Sequence, residues 1–239
     1  MKPVIHHITN FVTANDCANI TLAIGGLPVM ANSIHEVEEI TASASALVLN
    51  LGTPNSDTLA VMSLAGRVAN EKNIPVVFDP VGVGASKFRG QISADLMKKV
   101  KFSVIRGNIS EIKFLLGRDS KMRGVDAGIE ANDDDLAKKL AQKLGCVVVV
   151  SGKVDVVSDG ERNAFIENGV EMLSNITGTG CMCSSLIGYF CTQEDSFTAA
   201  VKAMTCMGIA GEMAYEKSGD LGTGSFRVAL MDAISVQLG

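Results

Sequence analysis

The sequence contains no tryptophan and only two tyrosines among 239 residues. So few rings leave little to stack against nucleobases, and a formal net charge of −5 offers no broad attraction to DNA, RNA or an anionic membrane. A local phosphate site stays open to such a chain, because a helix N-terminus and one arginine can supply a positive field. No uninterrupted apolar run reaches membrane-spanning length, and the first ten residues lack the apolar segment of a signal peptide. The six cysteines, at 17, 146, 181, 183, 191 and 206, form no CxxC pair and mostly sit in apolar stretches, as buried free thiols do. A reducing cytoplasm is the expected setting. With five scattered prolines, no Ser/Gly-rich linker and no internal repeat, residues 1–239 are expected to form one domain.

What is present suits an α/β core. Hydrophobic residues make up 47% and charged residues 20%, and glycine is frequent at 24 residues. Nearly continuous apolar runs at Ala46–Leu51, Pro75–Asp79, Ser103–Arg106 and Cys146–Val150 predict strands covered on both faces. Helical patterns at Asp57–Lys72, Ala94–Lys99, Ser110–Leu116 and Asp133–Leu144 alternate with them, the last capped by Asp133 or Asp134. That alternation predicts a parallel sheet with helices on both faces. Asp155–Ser158 and Ala164–Ile166, around Asp159-Gly160, predict an antiparallel hairpin. Beyond residue 177 the pattern is helical over Cys181–Phe190, Phe197–Lys217 and Ser225–Val236.

Three stretches carry candidate chemistry. Asn175-Ile176-Thr177-Gly178-Thr179-Gly180-Cys181 precedes a helix, and its glycines let successive amides point into one cavity at the positive end of the dipole. Such a turn holds a phosphate, or serves only as a closely packed helix start. It is neither common nucleotide fingerprint: no GxxxxGK[ST] occurs, and Cys183 stands where a dinucleotide motif needs its third glycine. At Phe78-Asp79-Pro80-Val81-Gly82 a strand ends in a carboxylate, placed to hold Mg²⁺ or merely to cap its loop. At Arg106-Gly107-Asn108-Ile109-Ser110-Glu111 a strand ends in arginine, whose fork suits a polyphosphate. Glu111 follows in a first helical turn, where it could share a metal with Asp79 or simply complement the dipole. Other features carry less. His6 and His7 point to opposite faces of an extended segment and cannot chelate together, and Cys181 and Cys183 diverge by about 200° on a helix. Met30 lines a pocket or fills core.

Taken in order, His7-x-Thr9-Asn10, Gly26-Leu27-Pro28-Val29-Met30, Asp79-Pro80-Val81-Gly82, Arg106-Gly107-Asn108-x-x-Glu111 and Thr177-Gly178-Thr179-Gly180-Cys181 resemble the hydroxyethylthiazole kinase family over nearly the whole chain. The resemblance implies a ribokinase-like three-layer α/β/α sandwich with a mostly parallel sheet. It implies transfer of the ATP γ-phosphate to the primary alcohol of 4-methyl-5-(2-hydroxyethyl)thiazole, with Mg²⁺, in thiamine biosynthesis or salvage. It also implies a homotrimer with active sites at subunit contacts. By the same resemblance Met30 and Gly178 line the thiazole pocket with Asn10 close by. Arg106, Ser151, Asn108, Thr179 and Gly180 bind ATP, Asp79 and Glu111 organise Mg²⁺, and Cys181 holds the position of the catalytic base. The wider ribokinase-like group usually has Asp at that last position. A thiol at a helix N-terminus is expected to have a lowered pKa and to accept a proton late in a largely dissociative transfer. Competing expectations are a kinase for another alcohol such as hydroxymethylpyrimidine or pyridoxal, a non-catalytic nucleotide-binding regulator, and a nucleotide-dependent dehydratase of related fold.

Overall fold

The computed structural model describes residues 1–117 and 133–236. Eight strands form one sheet: β1 (Val4–Ile8), β2 (Leu27–Val29), β3 (Ala46–Asn50), β4 (Val76–Asp79), β5 (Val104–Asn108), β6 (Val147–Ser151), β7 (Asp155–Ser158) and β8 (Asn163–Ile166). Their order is β2-β1-β3-β4-β5-β6-β7-β8. The first six are parallel, and β7 and β8 add antiparallel as the hairpin expected at the Asp159-Gly160 turn. The stretch Asp119–Asn132 lies outside the described residues, as do the side chains on which the expected cap at Asp133 or Asp134 depends.

The side chains of each central strand alternate between two apolar layers, as the period of two requires. Ala46, Val48, Val77, Val104 and Val149 pack with helices α1 (Ala14–Ala23), α7 (Thr179–Phe190), α8 (Ser196–Ser218) and α9 (Thr223–Val236). Leu47, Leu49, Phe78, Ile105 and Val148 pack with α2 (Val37–Ala42), α3 (Thr58–Glu71), α4 (Lys87–Lys99), α5 (Ile109–Leu115) and α6 (Asp133–Leu144). The result is the mostly parallel α/β/α sandwich that the alternation predicts.

Four elements near the N-terminus, β1, α1, β2 and α2, are not among those that the sequence pattern marks. Helix α1 is rich in Asn, Asp and Thr, which are poor helix formers, and its N-cap Thr13 makes no side-chain cap bond. Strand β2 contains Pro28, tolerated because β2 is the edge of the sheet. Helix α4 starts at Lys87, seven residues before the expected Ala94. Ser86 caps it, accepting from the Arg89 amide at 3.2 Å. Gly90, which reads as a breaker, sits where a Cβ would meet Phe114 Cζ at 2.9 Å, so the helix continues through a close approach.

Candidate active site

Chain direction and parity together assemble the site. After β1 the chain turns to β2 on one side, then crosses to β3 on the other, so the crevice between β1 and β3 is a topological switch point. Val48, Val77, Val104 and Val149 face α7, and therefore so do the residues two further on: Asn50, Asp79, Arg106 and Ser151. Each is polar and stands at or near the carboxyl end of its strand. The first turn of α7 lies over them.

Asp79 is fully buried. Its Oδ2 accepts from Asn50 Nδ2 at 3.0 Å and from Ser184 Oγ at 2.8 Å, whereas its buried Oδ1 accepts no hydrogen bond. Burial lifts its pKa to about 6, against the pull of Arg106 and with a further push from Glu111. Arg106 Nη1 stands 3.9 Å from Asp79 Oδ1, and Nη2 donates to Ser151 Oγ at 2.7 Å. Burial works against the guanidinium charge, but Asp79, Cys183 and Glu111 together raise its pKa. Its buried Nε is unpartnered. A buried cation and carboxylate that each keep an unused polar atom mark a place where a ligand completes the hydrogen bonding.

The Gly-rich turn closes over this pair. Gly178 is the N-cap of α7 at φ +95°, a left-handed conformation costly for any side chain, and a Cβ there would meet Thr13 Cγ2 at 2.7 Å. Gly180 has no such backbone demand, but a Cβ would strike the Arg106 guanidinium, with Cζ and Nη2 both at 2.9 Å. The amides of Thr179, Gly180 and Cys181 open the helix, where no intrahelical carbonyl can take them. An amide ring at a helix start, a guanidinium below it and a carboxylate beside it form a cradle for a phosphoryl group and its counter-ion.

Two asparagines converge on Cys181. Asn50 Nδ2 lies 3.2 Å from Sγ and Asn10 Nδ2 3.6 Å. Both amides are oriented independently, since Asn50 Oδ1 accepts from the Gly52 amide and Asn10 Oδ1 from the Thr13 amide. Asn10 Nδ2 also donates to Asn50 Oδ1 at 2.9 Å, bridging the switch point. The lowered pKa expected for Cys181 is corrected here. Burial and the adjacent Asp79 raise it, and the hydrogen bonds from Thr13, Asn50 and Asn10 only moderate the rise. Cys181 is thus a thiol at neutral pH.

Other expected site residues have local duties. Glu111 Oε1 accepts from the Gly82 amide and Oε2 from the Asn108 amide, both at 2.8 Å. Asn108 Oδ1 accepts from the Glu111 amide, so the two residues form a capping box that also pins the loop after β4. The Asn-x-x-Glu spacing carries that signal in the sequence, beside the dipole effect. Thr179 turns its hydroxyl to the carbonyls of Leu173 and Ile176, leaving its amide for the cradle. Met30 is partly exposed in the wall of a cavity of about 490 Å³, lined also by Thr9, Phe11, Asn50, Val61 and Met62. Asn50 therefore touches both the cavity and the cradle. Gly178 does not line that cavity; it packs against Thr13.

Several residues of the site escape sequence reading. Asn50 falls inside the strand expected over Ala46–Leu51, as one polar interruption of an apolar run, yet it links Asn10, Asp79 and Cys181. Ser184 is one hydroxyl in an apolar helix. Arg89 donates to the carbonyls of Leu51 at 2.6 Å, Val81 at 2.9 Å and Gly52 at 2.5 Å, tying together the loops after β3 and β4. Among the described residues, no group of three or more His, Cys, Asp or Glu side chains converges as a metal cage. The donor set fits Mg²⁺ better, which takes one or two carboxylates and completes its shell with water and phosphate.

Comparison with known proteins agrees with this geometry. The model of a family described as the hydroxyethylthiazole kinase family matches residues 1–238. A hydroxyethylthiazole kinase of Ruminiclostridium cellulolyticum is 54% identical over 239 residues, covering 98% of this chain and 88% of the relative. The solved hydroxyethylthiazole kinase protein of Pyrococcus horikoshii superposes with a TM-score of 0.90 at 40% identity, over 98% of this chain and 88% of the other. A ribokinase-like superfamily protein of Enterococcus faecalis, at 10% identity and a TM-score of 0.71, covers 97% of this chain and 86% of its own and shares the fold.

Proposed function

This chain belongs to the hydroxyethylthiazole kinase family, and from that premise we propose how its residues divide the work of the reaction. The reaction is transfer of the ATP γ-phosphoryl group to the primary hydroxyl of 4-methyl-5-(2-hydroxyethyl)thiazole in thiamine biosynthesis and salvage. The amides of Thr179, Gly180 and Cys181 receive the phosphoryl oxygens, and Arg106, held by Ser151, pairs with the polyphosphate. Asn108 keeps the start of α5 in place beside the nucleotide. Mg²⁺ would be held by Asp79, whose free Oδ1 suits it, with Glu111 in the outer layer. When bound, the ion neutralises charge on the phosphates.

The thiazole occupies the cavity walled by Met30 and Asn50, with its hydroxyl directed past Asn50 toward Cys181; Asn10 lies beside Asn50, and Gly178 stands behind Thr13. In a largely dissociative transfer the proton leaves the alcohol late, so a thiol can assist without being ionised beforehand. Sulfur that already receives two amide N–H groups is prepared to take up negative charge. The observation that carries the reading is Arg106 wedged between Asp79 and Gly180 under the first turn of α7.

We also propose a single working domain, a cytoplasmic setting and a homotrimer. No helix among the described residues is long and apolar enough to cross a membrane. Phe11, Val12, Leu27, Met30 and Ile34 are exposed apolar side chains at and near the cavity, which suits a subunit contact there. Coupled ATP turnover with Mg²⁺ on the thiazole alcohol, hydroxymethylpyrimidine and pyridoxal tests the assignment. Turnover on the thiazole alone is expected. Preference for either other alcohol would overturn the acceptor, and ATP binding without turnover on any would favour a regulator.

A further inference from the structure

Resting on the reading of the Met30 cavity as the acceptor site, we propose that His6 is a positioning residue that sets the acceptor wall and so the affinity for the alcohol. His6 lies on β1, facing away from α7, and is fully buried. Its Nε2 bonds the Ala31 carbonyl at 2.8 Å and its Nδ1 bonds Thr41 Oγ1 at 2.9 Å. A carbonyl only accepts, so Nε2 carries the proton and Nδ1 accepts from the Thr41 hydroxyl. The ring is therefore neutral and has one orientation. Burial lowers its pKa, which keeps it in this form.

The segment it holds is the cavity wall. The β1–β2 ladder ends at the His6–Val29 pair, and Met30 and Ala31 continue beyond it. His6 grips that continuation two residues past the end of the ladder, while Thr41 anchors the ring to α2. The Met30 side chain is thus set by a side-chain bond on its neighbour. Losing that bond leaves the Ala31 carbonyl without its donor inside the protein and frees the Met30 wall to drift.

The test is steady-state kinetics with each substrate varied in turn. His6→Leu removes the bond and is expected to raise KM for the thiazole alcohol about tenfold, with KM for ATP and kcat within about twofold. His6→Gln can place an amide N–H near Nε2 and is expected to restore most of the affinity. Thr41→Val, which leaves Nδ1 without its donor, should give a smaller shift in the same direction and serves if His6→Leu does not fold. Met30→Ala separates the two claims. If Met30→Ala raises the acceptor KM and the folded His6 or Thr41 variants do not, His6 has no such role. If Met30→Ala leaves it unchanged, the cavity is not the acceptor site. A fall in kcat and a rise in both KM values in His6→Leu alike would show a structural role only.

Discussion

Adding one methyl at Gly180 should damage ATP use with little effect on folding. A Cβ there would stand 2.9 Å from Arg106 Cζ and Nη2, against about 3.5–4.0 Å for an ordinary contact. Nη1 lies nearer still, so the guanidinium must retreat by more than roughly 0.6–1 Å. That displacement disturbs its 2.7 Å bond to Ser151 Oγ and its place beside Asp79 Oδ1. A hydrogen bond from a charged group contributes about 1.5–3 kcal/mol. Losing most of one corresponds to roughly a thirtyfold fall in kcat/KM for ATP. Alanine favours the helix over glycine by up to about 1 kcal/mol, which offsets part of the strain, so the melting temperature should move by only a few degrees. The acceptor KM should stay within about twofold, since Met30 and its cavity are on the far side of Asn50. Wild-type ATP kinetics in Gly180→Ala would refute the reasoning. A double-mutant cycle sharpens it: once Arg106→Met has removed the guanidinium, Gly180→Ala should cost no more. A full thirtyfold loss in that background would mean that the methyl acts on the nucleotide directly.

Cys181→Ala should lower kcat by no more than about a hundredfold, the lower range for a proton-transfer group, with both KM values preserved; complete loss of turnover in a folded variant would make the thiol indispensable. Two buried groups bias stability in opposite directions with pH. Asp79, lifted from 3.8 to about 6 by burial, is most stable protonated, so its contribution is present below pH 4 and lost as pH rises through 6. His7, lowered from 6.5 to about 4 by burial, contributes above pH 6.5 and loses that contribution as pH falls through 4. Each shift corresponds to roughly 3 kcal/mol. Asp79→Asn should therefore be inactive yet more stable than wild type at pH 8, with the advantage gone near pH 4; urea midpoints at both values check it, and equal midpoints at pH 8 would sink it. His7→Gln should flatten the acid side of the wild-type profile, and an unchanged loss between pH 6.5 and 4 would point to another group.

The middle of the sheet was legible because its strands are buried on both faces and spell that out in unbroken valines, isoleucines and leucines. Asp79, Arg106 and Ser151 were legible for a related reason, as the first polar residues after such runs. The N-terminal elements were not. In β1 two histidines interrupt the apolar pattern, and most of their partners are distant in sequence: Ala31 and Thr41 for His6, and Ser185 for His7, whose other nitrogen bonds the nearby Ile5 carbonyl. Asn50 is not legible although it follows the same parity, because Asn10, Asp79 and Cys181 come to it from three separate segments. The pKa of Cys181 was misjudged in sign because the helix terminus is visible in the sequence and the depth of burial is not.

Arg89 has a consequence beyond tying two loops together. All its hydrogen bonds among the described residues go to carbonyl oxygens, those of Leu51, Gly52 and Val81, and none goes to a carboxylate. Those carbonyls orient the guanidinium but carry no net charge to cancel it. A positive charge thus stands at the loops after β3 and β4, beside the Gly82 turn that Glu111 pins, in a protein whose sum is −5. A sum of −5 gives a polyanion no long-range attraction to the chain, so the pull on a nucleotide phosphate has to come from local cations such as this one.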